Sequence, residues 1–346
     1  MQPLRSLLHF IHKRKFKNIL QKEQAEKVLL EDSLQKKYIA ETSPHGKIKV
    51  FIYQEGFDFH FTRFYRSTIK RDFNYYLVSQ IQDAEVVVFI NTVYPNLVSW
   101  QQKVILFFHE PQTYSHLYQS VIPRDFLGQP DITVISHLDP ALFITGEFFE
   151  LPGTSITHIQ SIPHIHFHHM ATENELAAIS SNKTKLICSV VSGFNGVPGY
   201  DDRRIFIEQL SSVLPEFDLY GRYGKLIRNI KSYRGYSTVK FRTIANYKYS
   251  LVIENSKEDW YISEKIFDAL MCGCMPIYYG TDKIFELIPH EWFVYLPDLS
   301  KKSIESIEEV INTDRHKLVS QNQAFISHRI DQTFSFYQCL QKTLRP

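Results

Sequence analysis

One short stretch of the chain, residues 254–265, concentrates side chains that can bind a phosphorylated ligand. It lies between two apolar runs, YSLVI and MPIYY, that are typical of buried strands. Its candidate binding residues are Glu254, Asn255, Ser256, Tyr261, Ser263, Glu264 and Lys265. Hydroxyl, amide and ammonium groups at such a density predict a binding site for an anion.

A helix is predicted to start inside this stretch. Ser263 can cap its N-terminus, and Ile266, Phe267 and Leu270 then follow helical spacing. The free backbone N–H groups and the positive end of the helix dipole favour an anion at this point. Lys265 adds a full positive charge in the first turn. The sequence therefore predicts a diphosphate site at the start of this helix.

The same residues resemble a known family. The ENS triplet, Tyr261, the SEK triplet 263–265 and a following strand that ends in Gly280 are similar to the signature of the alpha-1,3/4-fucosyltransferases, glycosyltransferase family ten, in its bacterial form. Weaker similarity runs in order over about residues 85–300. The resemblance implies that this loop and helix hold GDP-fucose, with Asn255 and Tyr261 lining the pocket. It also implies the GT-B architecture, in which two Rossmann-like domains face a cleft.

Further donor-binding residues follow from the resemblance. An arginine near the start of the helix after SGFNGVPG is expected to contact the diphosphate, and Arg203 takes that position, with Arg204 as the alternative. A surface arginine paired with Asp201 or Asp202 is the competing interpretation. The triplet Tyr220-Gly221-Arg222 matches the family's short strand followed by glycine, so Arg222 is expected near phosphate or base. A solvent-facing arginine is the alternative there too.

Two glutamates are predicted to be catalytic. Transfer with inversion needs a carboxylate that takes the proton of the acceptor hydroxyl. Glu110 lies just past the strand KVILFF, where the family has its presumed base, although an ordinary loop glutamate remains the alternative. Glu264 is expected to hydrogen-bond hydroxyls of ribose or sugar, and it also complements the helix dipole.

Apolar runs alternate with helical stretches along the chain, which predicts an α/β fold with parallel sheets. Eight strands divide into two units: 47–53, 85–90, 103–108 and 131–136, then 185–191, 217–220, 249–253 and 275–279. The predicted organisation is a basic amphipathic helical segment 1–46, an acceptor domain 47–170, a donor domain 171–330, and a C-terminal helix 331–346 that packs back on the first domain.

Composition agrees with a soluble enzyme of 346 residues, 22% of them charged. No apolar run approaches the roughly 20 residues of a membrane span, and the N-terminus lacks signal-peptide features. The cytoplasm is therefore the expected location, at the inner face of the membrane if residues 1–22 form a basic helix on anionic lipid. An ordinary helix packed on its own domain is the alternative for that segment. No nucleic-acid-binding signature is present.

A metal is not expected to take part. The chain lacks an Asp-x-Asp triplet, and Lys265, Arg203 and the helix dipole are expected to stabilise the diphosphate instead. The alternating histidines of PHIHFHHM, residues 163–170, would need further ligands from elsewhere to bind zinc. The four cysteines are too few and too scattered for a disulfide framework.

The sequence thus predicts an inverting fucosyltransferase that uses GDP-fucose and a surface-glycan acceptor of the lipopolysaccharide or capsule type, with alpha-1,3 linkage. One alternative keeps the fold and chemistry with another nucleotide sugar, because diphosphate contacts do not recognise the sugar ring. The other, of a different class, is a non-catalytic protein that binds a nucleotide sugar.

Overall fold

Two parallel sheets of six strands each organise the chain. The computed structural model describes residues 25–54, 60–67, 73–91, 93–99, 101–111, 132–138, 156–162, 173–179, 181–193, 196, 198–222, 225–237 and 239–344. Every strand pair in both sheets is parallel. Parallel sheets need cover on both faces, which explains why the central strands are continuous apolar runs.

The first sheet forms the N-terminal lobe, and its strands are ordered β2-β1-β3-β4-β5-β6. In chain order they are β1 Ile48–Tyr53, β2 Tyr75–Leu77, β3 Val86–Ile90, β4 Lys103–Phe108, β5 Ile132–Ser136 and β6 Ile156–Gln160. All residues of β3 are buried because separate apolar clusters pack on the two faces of the sheet.

The second sheet forms the C-terminal lobe, with the order β12-β11-β10-β7-β8-β9. Its strands are β7 Lys185–Ser192, β8 Phe217–Arg222, β9 Tyr233–Gly235, β10 Tyr247–Ile253, β11 Met275–Tyr279 and β12 Val294–Tyr295. The winding reverses between β7 and β10, as in the doubly wound nucleotide-binding sheet. Ligands of such sheets bind in the crevice at the carboxyl ends of the two strands that flank the reversal.

Helices cover both sheets. Their ranges are α1 25–41, α2 His60–Ser67, α3 Glu173–Ala177, α4 Pro198–Val213, α5 Lys225–Arg228, α6 Lys240–Ile244, α7 Glu264–Met271, α8 Lys301–Ile311, α9 His316–Gln321, α10 Gln323–Phe334 and α11 Phe336–Thr343. The short 3-10 turns lie at Ile81–Asp83, Pro95–Leu97, Asp282–Glu286 and His290–Trp292.

The last helix, α11, packs on the first sheet rather than on the second. The rings of Phe336 and Phe107 have centroids 4.4 Å apart, and the Tyr75 hydroxyl donates to the Tyr337 carbonyl at 3.3 Å. Helices α8, α9 and α10, by contrast, contribute to the core of the second lobe. The chain therefore crosses back between the lobes at Ser335.

The predicted α/β class with two Rossmann-like units is confirmed. All eight predicted strands are present, and β2, β6, β9 and β12 are additional. The predicted basic segment 1–22 and the histidine run 163–170 lie outside the described residues. Within the described part of the chain, no helix is both long and apolar enough to cross a membrane.

Candidate functional site

The carboxyl ends of β7 and β10 meet at the point where the second sheet reverses its winding. Glu254 directly follows β10, and Ser192 is the last residue of β7. Helix α7 starts ten residues after Glu254, and helix α4 starts after the loop that follows β7. The crevice is therefore lined by the ends of two strands and the starts of two helices.

Glu254 is the centre of the hydrogen-bond network at the start of α7. Its carboxylate is buried and accepts from the Ser263 backbone N–H at 2.8 Å, from the Ser263 hydroxyl at 2.7 Å and from Lys265 Nζ at 3.0 Å. Ser263 caps the helix as predicted, and its hydroxyl accepts from the Lys265 N–H. The sequence analysis assigned the helix start to a diphosphate. In the structure, the Glu254 carboxylate lies beside this helix start and contacts Ser263 and Lys265, and the diphosphate assignment stays a prediction.

Lys265 keeps an accessible face despite that ion pair. Its side chain is 21% exposed, whereas that of Glu254 is 0% exposed. Burial alone would lower the pKa of Lys265, but the charges of Glu254 and Glu264 raise it by a larger amount. The net shift of the Lys265 pKa is therefore upward. The charge of Arg203 acts in the opposite direction to those two carboxylates. Arg203 is hydrogen-bonded to Ser192 at the end of β7, and Lys265 is hydrogen-bonded to Glu254 just after β10. Two cations thus converge beside the crevice.

The adjacent arginines of α4 have different surroundings. Arg203 is buried, donates to the carbonyl and the hydroxyl of Ser192 at 3.2 Å each, and lies over the Tyr200 ring at 4.8 Å. Arg204 instead pairs with Glu208 at 3.3 Å and with Asp201 at 4.0 Å on the outer face of the helix. The structure brings Arg203 to the crevice, and Arg204 takes the surface role that the competing interpretation described.

An amide and two phenols line the same pocket. The Tyr261 hydroxyl donates to Asn255 Oδ1 at 2.9 Å, and Asn255 Nδ2 donates to the Tyr200 hydroxyl at 3.4 Å. The Ser256 hydroxyl donates to Glu258 at 2.7 Å. Asn255 and Tyr261 are therefore in one network with the start of α4, and Ser256 belongs to the neighbouring loop.

Glu264 belongs to a second ionic cluster, which the sequence analysis missed. Lys240, the first residue of α6, donates to Glu264 at 3.4 Å and to Asp268 at 2.6 Å. Burial raises the pKa of Asp268 to about 6 in spite of the attraction of Lys240. No local signal marks Lys240, because it lies 24 residues from Glu264 and only the tertiary fold brings them together.

The first lobe reaches the site through the ends of β4 and β5. Phe108 pairs with Ser136 in register, so Glu110 and His137 follow neighbouring strands at one sheet edge. The buried His137 ring lies 5.2 Å from the Tyr261 ring, and its Nε2 is 3.7 Å from Glu258. Burial raises the pKa of Tyr261 well above its ordinary value, and the charge of Glu110 raises it further. The sheet edge that bears Glu110 therefore lies against the Tyr261 side of the second-lobe pocket.

The three residues 220–222 do not all lie at the crevice. The Tyr220 hydroxyl contacts that of Tyr247 at 2.9 Å, at the start of β10, whereas the crevice lies where β10 ends. The Tyr220 side chain therefore points toward the amino ends of the strands, away from the crevice, and its assignment to the donor stays a prediction. Gly221 and Arg222 pair with Val191 and Ser192 at the crevice edge. A Cβ at Gly221 would lie 2.0 Å from the Val191 carbonyl oxygen, which explains the glycine.

Gly199 explains how α4 approaches the pocket so closely. A Cβ at this position would lie 1.9 Å from the Asn255 carbonyl oxygen. The first turn of α4 is thus in backbone contact with the loop after β10.

Within the described ranges, no three His, Cys, Asp or Glu side chains are grouped closely enough to hold a metal ion. The cations near the crevice are side chains of Arg203, Lys240 and Lys265.

Residues 180–324 match the family model described as Glycosyltransferase family 10 (fucosyltransferase) C-term. These residues include β7, β10, α7 and all of the second-lobe pocket. The chain carries a family 10 glycosyltransferase domain. The predicted resemblance is thereby confirmed for this part of the chain.

Curated relatives match shorter parts of the chain. A bovine 4-galactosyl-N-acetylglucosaminide 3-alpha-L-fucosyltransferase 9 is 30% identical over 126 residues, which is 35% of this chain and 32% of the relative. A human GDP-fucose protein O-fucosyltransferase 3 is 35% identical over 92 residues, which is 25% of this chain and 19% of the relative. The chain thus spans about a fifth to a third of the length of these two relatives.

Solved structures match over more of the chain at lower identity. An alpha1,3-fucosyltransferase is 15% identical, with a TM-score of 0.47 and coverage of 88% of this chain and 93% of the other. An alpha1,3-fucosyltransferase with GDP-fucose is 17% identical, with a TM-score of 0.45 and 83% coverage of both chains.

Proposed function

We propose that this protein transfers fucose from GDP-fucose to a hydroxyl of a glycan acceptor, with inversion at the anomeric carbon. Residues 180–324 hold the donor, and the first lobe supplies the base and the acceptor contacts. The family 10 match and the names of the relatives support fucose as the transferred sugar. The name of the bovine relative supports a glycan acceptor and alpha-1,3 linkage.

One observation carries this proposal: the edge of the first sheet that bears Glu110 lies against the second-lobe pocket that contains Tyr261. Burial raises the pKa of Tyr261, the charge of Glu110 adds to that increase, and the Tyr261 hydroxyl belongs to the network of Asn255 and Tyr200. The contact between the His137 and Tyr261 rings independently supports the opposition of the two sheet edges. A base and a diphosphate site on opposite sides of a gap are what an inverting transfer requires.

The reaction then proceeds in one displacement. The acceptor oxygen forms a bond to the anomeric carbon while the bond from that carbon to the phosphate oxygen breaks. The acceptor proton passes to Glu110, and the electron pair of the broken bond leaves with GDP. Arg203 and Lys265 stabilise the charge that develops on the diphosphate, a role that a metal ion fills in other transferases. Glu264 hydrogen-bonds hydroxyl groups of the donor.

Replacing the base tests the enzyme proposal. We expect Glu110→Gln to lower kcat by about 10²- to 10⁴-fold, while GDP-fucose binds with nearly unchanged affinity. The matched control is Glu41→Gln, an isosteric change on the first lobe at a side chain that is 53% exposed. Donor binding by the wild type without any turnover would instead indicate the non-catalytic binding protein.

Competing donors and acceptors test the specificity. Release of the nucleoside diphosphate is measured with GDP-fucose, GDP-mannose and a uridine diphosphate sugar, each with free lactosamine-type glycans and with a folded protein that carries no glycan. Turnover only with another donor would contradict the assignment of fucose. Turnover only on unglycosylated protein would contradict the glycan acceptor.

Full activity after exhaustive chelation is expected, and strict dependence on added manganese would overturn the metal-free scheme.

A further inference from the structure

Asn91 occupies an unusual backbone conformation directly after β3. Its φ is +66°, in the left-handed region, and Trp260 is the other non-glycine residue with positive φ in the described part of the chain. Such a conformation costs free energy for most residues, although asparagine tolerates it better than others. The Asn91 N–H donates to the Phe107 carbonyl at 2.8 Å. Non-glycine residues in this region cluster at functional sites, so this one calls for an explanation.

The side chain of Asn91 contacts the segment that carries the proposed base. The His109 backbone N–H donates to Asn91 Oδ1 at 2.9 Å, and Asn91 Nδ2 donates to Glu110 Oε1 at 3.3 Å. The first contact determines the orientation of the amide. A backbone N–H can only donate, so the amide oxygen must face His109 and the NH2 group must face the Glu110 carboxylate.

The two contacts use both ends of one planar group. Ile90 pairs with Phe107 at the end of the parallel ladder, so Asn91 lies at the last point where β3 supports β4. Beyond that point the chain leaves the sheet, and the amide fixes both the backbone at His109 and the carboxylate at Glu110. The left-handed conformation is what turns the Asn91 side chain toward the neighbouring strand.

We propose that Asn91 is a positioning residue for Glu110, holding its carboxylate in the orientation and charge state that proton transfer requires. This inference rests on the proposed function, in which Glu110 is the base. The amide donates a hydrogen bond but has no titratable proton, so it orients the carboxylate without competing for the acceptor proton. A donor to the ionised form also favours that form.

Two substitutions separate the side chain from the backbone. Asn91→Gly tolerates the left-handed conformation but removes the amide, and Asn91→Asp keeps the shape and the acceptor for His109 while placing an oxygen against Glu110. We expect kcat to fall by about 10- to 100-fold, more for Asn91→Asp, with less than twofold change in KM for GDP-fucose. The acidic limb of the kcat profile should move to higher pH, because the carboxylate loses its donor.

A double-mutant cycle tests whether Asn91 acts through Glu110. In the Glu110→Gln background, Asn91→Asp should cause no further loss of kcat, since no base remains to be positioned. If the double variant lost the full sum of the two single-variant losses of kcat, Asn91 would support the fold rather than the base. Thermal unfolding of each variant shows whether the fold is retained. A wild-type rate and pH profile in both single variants would overturn the inference.

The inference and the proposed function fail in different ways. If the wild type shows no transfer with any donor, the proposed function is wrong whatever Asn91 does. The titration of the Glu110 carboxyl carbon, followed by carbon-13 NMR and assigned with Glu110→Gln, needs no activity. A higher Glu110 pKa in Asn91→Gly than in the wild type supports the contact as a determinant of charge state. An unchanged titration overturns it.

Discussion

At the scale of single residues, ion pairing determines what each substitution at the pocket does. Lys265 is both a candidate phosphate contact and the counter-ion of Glu254, whose carboxylate is fully buried. Removing one partner of such a pair leaves an uncompensated charge in the interior. A loss of donor binding in a Lys265 variant therefore has two possible origins, weaker contact and a weaker fold.

A paired substitution separates these origins. We expect Lys265→Met to lower the free energy of unfolding by about 2–4 kcal/mol, less than a fully buried pair would, because the lysine keeps partial exposure. Adding Glu254→Gln removes the stranded charge and should restore at least about 1 kcal/mol of it. GDP affinity, measured by calorimetry, should stay low in both variants. Recovery of affinity together with stability would mean that Lys265 does not contact the diphosphate.

The two arginines of α4 provide a matched pair for the diphosphate contact. We expect Arg203→Ala to weaken GDP binding by about 10- to 100-fold, the range for one charge-assisted hydrogen bond or ion pair. Arg204→Ala should change affinity by less than about twofold, because its partners are on the outer face of the helix. Equal losses in calorimetric titrations of both variants would contradict the assignment. Near-UV circular dichroism verifies that the buried Arg203 position still packs.

At the scale of elements, the sequence predicted the strands whose patterning reflects burial on both faces. The strands β2, β6, β9 and β12 were missed, and each lies at an edge of its sheet. Edge strands are short and have one covered side, so periodicity marks them weakly. Site residues that are neighbours in the sequence were likewise easier to predict than those that only the fold brings together. Ser263, Glu264 and Lys265 are adjacent in sequence and were predicted together. Asn91, His137 and Lys240 reach the site only through the tertiary fold.

A carboxylate near the amino ends of the strands of the second sheet, away from the crevice, connects neighbouring strands. Asp218 of β8 accepts from Tyr247 of β10 at 2.6 Å, from Lys185 of β7 at 3.4 Å, and from Arg234 of β9. Partial burial raises the pKa of Asp218, but the hydrogen bonds of Tyr247 and Arg234 hold it below its usual range. The ionised form is thus preferred in the folded state.

This preference predicts a pH-dependent stability. A carboxyl with a lowered folded pKa stabilises the fold above its unfolded pKa, and that contribution is lost as pH falls through the folded value. Asp218→Asn should therefore cost about 1 kcal/mol at pH 7, and the difference from the wild type should shrink below pH 3.8. Urea unfolding at several pH values measures both. Asp314→Asn, at a side chain that is 71% exposed, is the control with a smaller expected change. A constant difference across pH would contradict the role of the charge.

At the scale of the whole molecule, the C-terminal helix links the stability of the first lobe to the integrity of the second. The chain completes the core of the second lobe with α10, crosses at Ser335, and buries α11 against the first sheet. The Asn74 N–H also donates to Gln341 Oε1 at 2.9 Å, so β2 begins beside this helix. The lobe that supplies Glu110 thus depends on residues from the far end of the chain.

Two phenylalanines of the C-terminal region test this dependence. Phe336 is fully buried beside Phe107, whereas Phe325 on α10 is 61% exposed. We expect Phe336→Ala to lower stability by about 3–5 kcal/mol, from lost burial and the cavity left behind, and Phe325→Ala to change it by less than about 0.5 kcal/mol. Hydrogen exchange should show faster exchange in β1, β3 and β4 of Phe336→Ala than in β7 and β10. Because the donor site is proposed to lie in the second lobe, GDP affinity should fall far less than the transfer rate. Uniform loss of protection across both sheets would mean that the lobes unfold as one unit, and α11 would then have no selective effect on the first.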